Sequence, residues 1–126
     1  MRQQSRPTRI LVVEDDVEVA ALLQRVLTTY GYDVEMADEL SVFQASREHL
    51  PDLILLDLFM PSVSGVEAAH HLHDLPETSD IPIVLMSGAP DVAEHAAQLG
   101  TAGYLKKPFE LDDLLAAVQQ ALGSAI

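Results

Sequence analysis

Short β-type apolar runs alternate with longer segments of helical periodicity along the whole chain, and this alternation constrains the fold more than any other feature. The first β-type run, at 10–13, is followed after Asp16 by apolar residues spaced three or four positions apart. These residues are Val19, Leu22, Leu23, Val26, Leu27 and Tyr30. The spacing places them on one face of a helix, and Gly31 is a residue type at which helices often end.

The same alternation continues to the end of the chain. Further strands are predicted at 33–37, 53–56, 81–86 and 102–105, and further helices at about 40–50, 66–72, 91–99 and 111–122. A β-α unit repeated five times predicts a parallel sheet with helices on both faces, joined by right-handed crossovers. The predicted fold class is therefore a doubly wound α/β domain.

The length of 126 residues fits one domain with its own core. Residues 8–123 are expected to form this domain, with a flexible N-terminal arm at 1–7 and a short C-terminal tail at 124–126. No signal peptide or membrane-spanning stretch is found, so a soluble protein in the cytoplasm is expected.

Composition excludes several classes of function. Seven Lys and Arg against twenty Asp and Glu give a net charge of −13. Such a charge argues against binding nucleic acid through its phosphates, and against an anionic membrane surface. The chain contains no cysteine, which rules out disulfides, thiolate catalysis and thiolate zinc sites.

Side chains able to carry out chemistry follow the predicted strands. Glu14 and Asp15 follow the first strand, Asp57 the third, Ser87 the fourth and Lys107 the fifth. Ligands of open parallel sheets bind outside the carboxyl ends of the strands. We therefore expect these five side chains to converge on one rim of the sheet.

Crowded carboxylates repel one another unless a cation offsets the repulsion. Magnesium suits this site, with Asp15 and Asp57 as direct ligands and Glu14 reaching the ion through a water. A cation beside Lys107 makes a place for a phosphoryl group, and Asp57 can attack an activated phosphoryl donor to form an acyl phosphate. Ser87 and Lys107 would then each contact a phosphoryl oxygen.

Four segments together resemble a known family. They are residues 10–16 (Ile-Leu-Val-Val-Glu-Asp-Asp), 52–61 (Asp-Leu-Ile-Leu-Leu-Asp-Leu-Phe-Met-Pro) with Gly65, 83–88 (Ile-Val-Leu-Met-Ser-Gly) and 103–109 (Gly-Tyr-Leu-Lys-Lys-Pro-Phe). In order and spacing they resemble a two-component response-regulator receiver domain of the CheY-like type, apparently a stand-alone one. The resemblance implies a flavodoxin-like sheet of strand order 2-1-3-4-5 between two helical layers.

The resemblance also implies roles for individual residues. Asp57 would accept a phosphoryl group from a histidine kinase or a histidine phosphotransfer protein. Glu14, Asp15, Asp57 and the backbone carbonyl of Phe59 would bind Mg²⁺, or Mn²⁺ in its place. Ser87 and Tyr104 would be the switch hydroxyl and switch aromatic, and Lys107 would contact the phosphoryl group. The Lys107–Pro108 peptide bond would be cis, as some X–Pro bonds are.

The same resemblance implies a phosphoacceptor switch rather than an enzyme, limited to its own autophosphorylation and autodephosphorylation. Phosphorylation would change the face formed by the helix at 91–99, the last strand and the last helix. A downstream protein would read that face, with the chain a monomer or a phosphorylation-dependent dimer and with no nucleic acid or membrane partner.

Other interpretations of these residues remain open. Glu14, Asp15 and Asp16 could simply cap the first helix, and Tyr104 could be ordinary core packing. His70, His71 and His73 could form a surface metal site, although an untuned exposed helix face explains them more simply. Lys106 is expected to be a solvated surface charge.

Two other functions also stay open. One is a receiver fragment of a larger hybrid kinase or transcriptional regulator. The other is a haloacid-dehalogenase-type phosphohydrolase, which needs a second acid two residues after the nucleophile, where this chain has Phe59. Phe59 is instead hypothesised to shield the acyl phosphate from water. Gly88, where the family often has alanine, could loosen the loop that carries Ser87.

Overall fold

The computed structural model describes residues 7–37, 50–58 and 65–123. The helix predicted at about 40–50, the carbonyl of Phe59 and most of the expected arm and tail lie outside these residues. The described part contains five strands and four helices.

All five strands pair in parallel in the order β2-β1-β3-β4-β5, which confirms the expected order 2-1-3-4-5. Their bounds are β1 Arg9–Val13, β2 Asp33–Ala37, β3 Leu53–Asp57, β4 Ile83–Ser87 and β5 Gly103–Lys106. The predicted start of β4 at residue 81 was two residues early. The Ile81 amide instead donates to the Thr78 carbonyl at 3.1 Å and closes a turn, while Pro82 has no amide hydrogen to give to a strand.

The helices are α1 Val17–Thr29, α2 Gly65–Asp74, α3 Val92–Leu99 and α4 Leu111–Gly123. Asp16 begins α1 as its N-cap, because its Oδ1 accepts from the amides of Glu18 at 3.0 Å and Val19 at 3.3 Å. After the C-cap Tyr30, the chain reverses at Gly31, whose φ of +94° lies in the region that glycine adopts readily.

The sheet is covered on both faces, as the alternation predicted. Alternate strand residues pack against α2 and α3 on one face and against α1 and α4 on the other. All five residues of β3 and all five of β4 are buried, which explains why these strands read as continuous apolar runs.

The apolar face predicted for α1 was too wide. Leu23 and Leu27 are fully buried, but Leu22 is 51% exposed and Tyr30 lies beyond the helix and is also exposed. Leu22 does not reach the core because it turns toward a separate apolar cavity of about 320 Å³, which it lines with Val19, Pro108 and Phe109.

The carboxyl ends of the four adjacent strands β1, β3, β4 and β5 meet at one rim. Asp57 stands beside Met86 in the β3–β4 register, and Ser87 stands beside Lys106 in the β4–β5 register. The Lys107–Pro108 peptide bond that follows is cis, as the resemblance implied. No helix within the described ranges is long and apolar enough to cross a membrane.

Candidate functional site

The rim gathers most of the buried polar side chains of the described chain. The described chain has four buried polar or charged residues: Glu14, Asp57, Thr78 and Ser87. All of them except Thr78 lie at strand ends on this rim. Asp57 closes β3 and is only 4% exposed. Because a parallel sheet aligns its carboxyl ends, residues far apart in sequence meet here, as the spacing predicted.

Lys107 joins two of the acids directly. Its Nζ lies 2.7 Å from Glu14 Oε1 and 3.5 Å from Asp57 Oδ1. The Lys107 amide donates to the Ser87 carbonyl at 2.8 Å, which holds the start of this loop against the end of β4. Sequence reasoning placed Lys107 against the phosphoryl group and missed its ion pair with Glu14, because spacing along a chain does not show how far a lysine reaches.

Glu14 is held in place from two sides. Its Oε2 accepts from the Asp16 amide at 3.1 Å. Its Oε1 is fully buried, and the Lys107 ammonium 2.7 Å away is what compensates its charge. Asp16 contributes this amide and the cap of α1, in agreement with a capping role for Asp16 itself.

Burial and the nearby charge of Glu14 together raise the pKa of Asp57 from 3.8 to about 7, against the opposing pull of Lys107. Burial alone would lower the pKa of Lys107, but its contacts with Glu14 and Asp57 outweigh that effect and raise it. In the absence of a metal ion the ionised form of the Asp57 carboxylate is therefore disfavoured, while the lysine stays charged.

Three acids meet the geometric requirement for a metal site. Glu14, Asp15 and Asp57 each offer a carboxylate oxygen, and these oxygens lie within 4.8 Å of one another. The donors are all hard oxygens, which suits Mg²⁺ or Mn²⁺ better than softer metals. Within the described ranges no second group of this kind is formed, and the histidines of α2 do not come together with neighbouring acids in such a group.

Ser87 and Tyr104, the two residues expected from the resemblance to act as a switch, lie on the adjacent strands β4 and β5. Ser87 is buried, and its Oγ accepts from the Ala89 amide at 2.9 Å. Tyr104 is 47% exposed, so it is not the ordinary core residue considered as an alternative. Its side chain lines a cavity of about 410 Å³ between β5 and α4, together with Lys106, which is exposed as expected.

The model of the family described as response regulator receiver domain matches residues 10–119. The chain belongs to this family. Response regulator MprA of Mycobacterium sp. (strain KMS) is 38% identical over 119 residues, which cover 92% of this chain and 51% of that protein. The phosphate regulon transcriptional regulatory protein PhoB of Rhizobium meliloti (strain 1021) is 34% identical over 122 residues, covering 93% of this chain and 53% of that protein.

Solved structures agree with this assignment. The chemotaxis protein CheY4 of Vibrio cholerae has a TM-score of 0.84 at 25% identity, covering 92% of this chain and 99% of that one. The receiver domain of a two-component response regulator is a signalling domain rather than a catalytic enzyme, so the comparisons do not favour the phosphohydrolase alternative. Receiver domains bind Mg²⁺ at an acidic site, and the three carboxylates here fit that ion.

The chain spans about half the length of the curated relatives that it matches. One of them is named a transcriptional regulatory protein, which agrees poorly with the expectation that nucleic acid plays no part. For this chain, that expectation rests on its net charge of −13 and stays a prediction.

Proposed function

We propose that this receiver domain takes a phosphoryl group onto Asp57 from a histidine kinase or a histidine phosphotransfer protein. The observation that carries the proposal is the Lys107 ammonium, 3.5 Å from a buried Asp57 carboxylate that two further acids crowd. A buried carboxylate beside a fixed cation is suited to attack an anionic phosphoryl donor, because the cation offsets the repulsion between the two anions.

The phosphoryl group would pass directly from the phosphohistidine of the donor to Asp57. An Asp57 Oδ forms a bond to phosphorus while the phosphorus–nitrogen bond of the donor phosphohistidine breaks. The electron pair of the broken bond returns to the imidazole nitrogen, and because the other ring nitrogen of the phosphohistidine carries a proton, a neutral histidine is left on the donor. The product is an acyl phosphate on Asp57, whose phosphoryl group carries about one and a half to two negative charges in place of the single charge of the carboxylate.

Lys107 and Ser87 are proposed to receive this added charge. The Lys107 ammonium can form a charge-assisted hydrogen bond to one phosphoryl oxygen, which is stronger than a neutral hydrogen bond. The Ser87 oxygen already accepts from the Ala89 amide, and its hydroxyl hydrogen can donate to a second phosphoryl oxygen at the same time.

Glu14, Asp15 and Asp57 are proposed to hold Mg²⁺, with Mn²⁺ as a substitute and the Phe59 carbonyl as a further ligand. The ion supplies positive charge that offsets the crowded carboxylates and the incoming phosphoryl oxygens. The site fits a cation because, among the residues that the structure describes, three carboxylates within 4.8 Å have one nearby ammonium, that of Lys107, to compensate them.

The output is proposed to pass through the face formed by α3, β5 and α4. Movement of Ser87 toward the phosphoryl group would let the half-exposed Tyr104 turn inward and would change what a downstream protein meets on this face. On this proposal the domain acts as a monomer or as a phosphorylation-dependent dimer.

Intact-mass measurement after incubation with acetyl phosphate and Mg²⁺ tests the acceptor. Wild type is expected to gain the mass of one phosphoryl group, and the gain should vanish in EDTA and in Asp57→Asn. Asp80→Asn, which removes an exposed carboxylate, is the matched control and should gain the same mass as wild type. Equal phosphorylation of Asp57→Asn and wild type would show that the acceptor lies elsewhere.

A further inference from the structure

Two helices of this domain begin at an aspartate, but the two aspartates behave differently. Asp16 has φ −76° and ψ 114°, and its side chain accepts hydrogen bonds from the first turn of α1. Asp91, which begins α3, has φ −99° and ψ 19° and makes no side-chain cap hydrogen bond. Because aspartate is among the best N-cap residues, the missing cap needs a cause.

The Asp91 carboxylate has another partner one turn further along α3. His95 Nε2 lies 3.2 Å from Asp91 Oδ2, so the carboxylate that would cap the helix is held by a side chain four residues away. Nε2–H can donate to the carboxylate in the protonated ring and in one of the two neutral tautomers. Asp91 cannot serve both partners, because capping needs the extended ψ that Asp16 shows and the pair with His95 occurs at a ψ near 19°.

The choice of partner also sets the loop that carries Ser87. Three residues separate Ser87 from Asp91, and Ala89 lies between them with two contacts. Its amide donates to Ser87 Oγ at 2.9 Å, and its carbonyl accepts from the Val92 amide at 3.4 Å. Val92 and Ala96 are buried and anchor the body of α3, so a rotation at Asp91 must move the loop rather than the helix.

We infer that His95 is a positioning residue for Ser87. By holding Asp91 away from the first turn of α3, it keeps the loop in the geometry in which Ser87 Oγ meets the Ala89 amide. Without this hold, Asp91 rotates to cap the Ala93 amide, and the loop turns with it. The Glu94 amide already donates to the Asp91 carbonyl at 3.1 Å, so it needs no cap. Any effect of His95 on signalling rests on the proposed role of Ser87. The exchange by Asp91 of His95 for the first turn of α3 does not depend on that role.

Amide hydrogen exchange at single-residue resolution, in EDTA and without a phosphoryl donor, tests the inference. In His95→Ala the Ala93 amide should exchange about fivefold more slowly, the equilibrium effect of gaining an N-cap worth about 1 kcal/mol. The Ala89 amide should exchange faster, because its bond to Ser87 is lost. A simple loss of helix stability would instead speed exchange at both positions and would overturn the inference.

Three further variants complete the test. His95→Gln keeps a side-chain N–H donor and should restore the wild-type exchange pattern. Gln98→Ala, an exposed change on the same helix, should leave the Ala89 and Ala93 rates unchanged. Asp91→Ala placed in the His95→Ala protein should abolish the slowing at Ala93. Slowing that persists without Asp91 would overturn the inference.

Phosphorylation is then measured separately with acetyl phosphate and Mg²⁺. The rate in His95→Ala should differ from wild type, with His95→Gln restoring it, because Ser87 is displaced only in the alanine variant. An unchanged rate beside the expected exchange pattern would overturn the positioning of Ser87. If wild type took up no phosphoryl group at all, the proposed function would fail, while the exchange data would still decide the partner of Asp91.

Discussion

Replacing Asp57 with asparagine should stabilise the metal-free protein above pH 7, even though it removes the proposed acceptor. The carboxylate is buried between Glu14 and Lys107, and burial together with the charge of Glu14 raises its pKa from 3.8 to about 7. The folded state therefore holds a proton that the unfolded chain releases. The stability that this proton provides is complete below pH 4 and is lost as the pH rises through about 7.

The size of the effect follows from the two pKa values. The interval from 3.8 to about 7, at about 1.4 kcal/mol for each pH unit, sets an upper limit of about 4 kcal/mol. Water and side chains relax around an ionised buried carboxylate, so we expect a gain of about 2 kcal/mol at pH 8. Asparagine keeps the shape of aspartate, and the 2.7 Å ion pair of Lys107 with Glu14 remains in the variant.

Urea denaturation in EDTA at pH 4, 5 and 8 measures this gain. The advantage of Asp57→Asn over wild type should be near zero at pH 4, less than half of its full value at pH 5, and full at pH 8. Added Mg²⁺ should shrink it, because the ion stabilises the wild-type carboxylate. Asp80→Asn controls for the loss of one negative charge. A variant no more stable than wild type at pH 8, or a gain that does not change with pH, would refute the reasoning.

Three further outcomes are expected. Lys107→Met leaves the buried Glu14 carboxylate unpaired and should lower the free energy of unfolding by about 3 kcal/mol in EDTA, as measured by urea denaturation, with Lys107→Arg losing less. Gly88→Ala should change stability by less than about 0.5 kcal/mol, because its Cβ would lie 3.8 Å from the Lys107 carbonyl oxygen, at ordinary contact distance; a large loss in the same assay would contradict this. Phe59→Asn should lose phosphate from Asp57 faster than wild type in an intact-mass time course, and equal or slower loss would remove the shielding hypothesis.

The order of the helices and strands was predictable because buried apolar residues recur in the sequence with the period of the element that contains them. β3 and β4 are covered on both faces and read as continuous apolar runs, while α1 repeats its buried Leu23 and Leu27 one turn apart. Boundaries were less predictable. Pro82 delayed the start of β4, and Leu22 sits at an apolar position of the repeat yet lines a surface cavity.

The site was predictable to the level of which residues meet. Glu14, Asp15 and Lys107 lie just after strands and Asp57 and Ser87 end strands, and a parallel sheet brings its strand ends to one rim. Their pairing was not predictable in the same way. The choice of Glu14 as the nearer partner of Lys107 depends on side-chain reach and on depth below the surface, and neither leaves a pattern in sequence.

By itself, therefore, the sequence determined the α/β class and the gathering of acids, hydroxyl and lysine at one rim, because periodicity and strand ends are local properties. Only the tertiary structure decided the raised pKa of Asp57 and the partner of Asp91. The pKa depends first on burial and then on the charge of Glu14, and the partner of Asp91 depends on a 3.2 Å contact with His95. Burial and such contacts arise only when helices form and elements pack, whereas the apolar pattern that encodes the fold is already present in the unfolded chain.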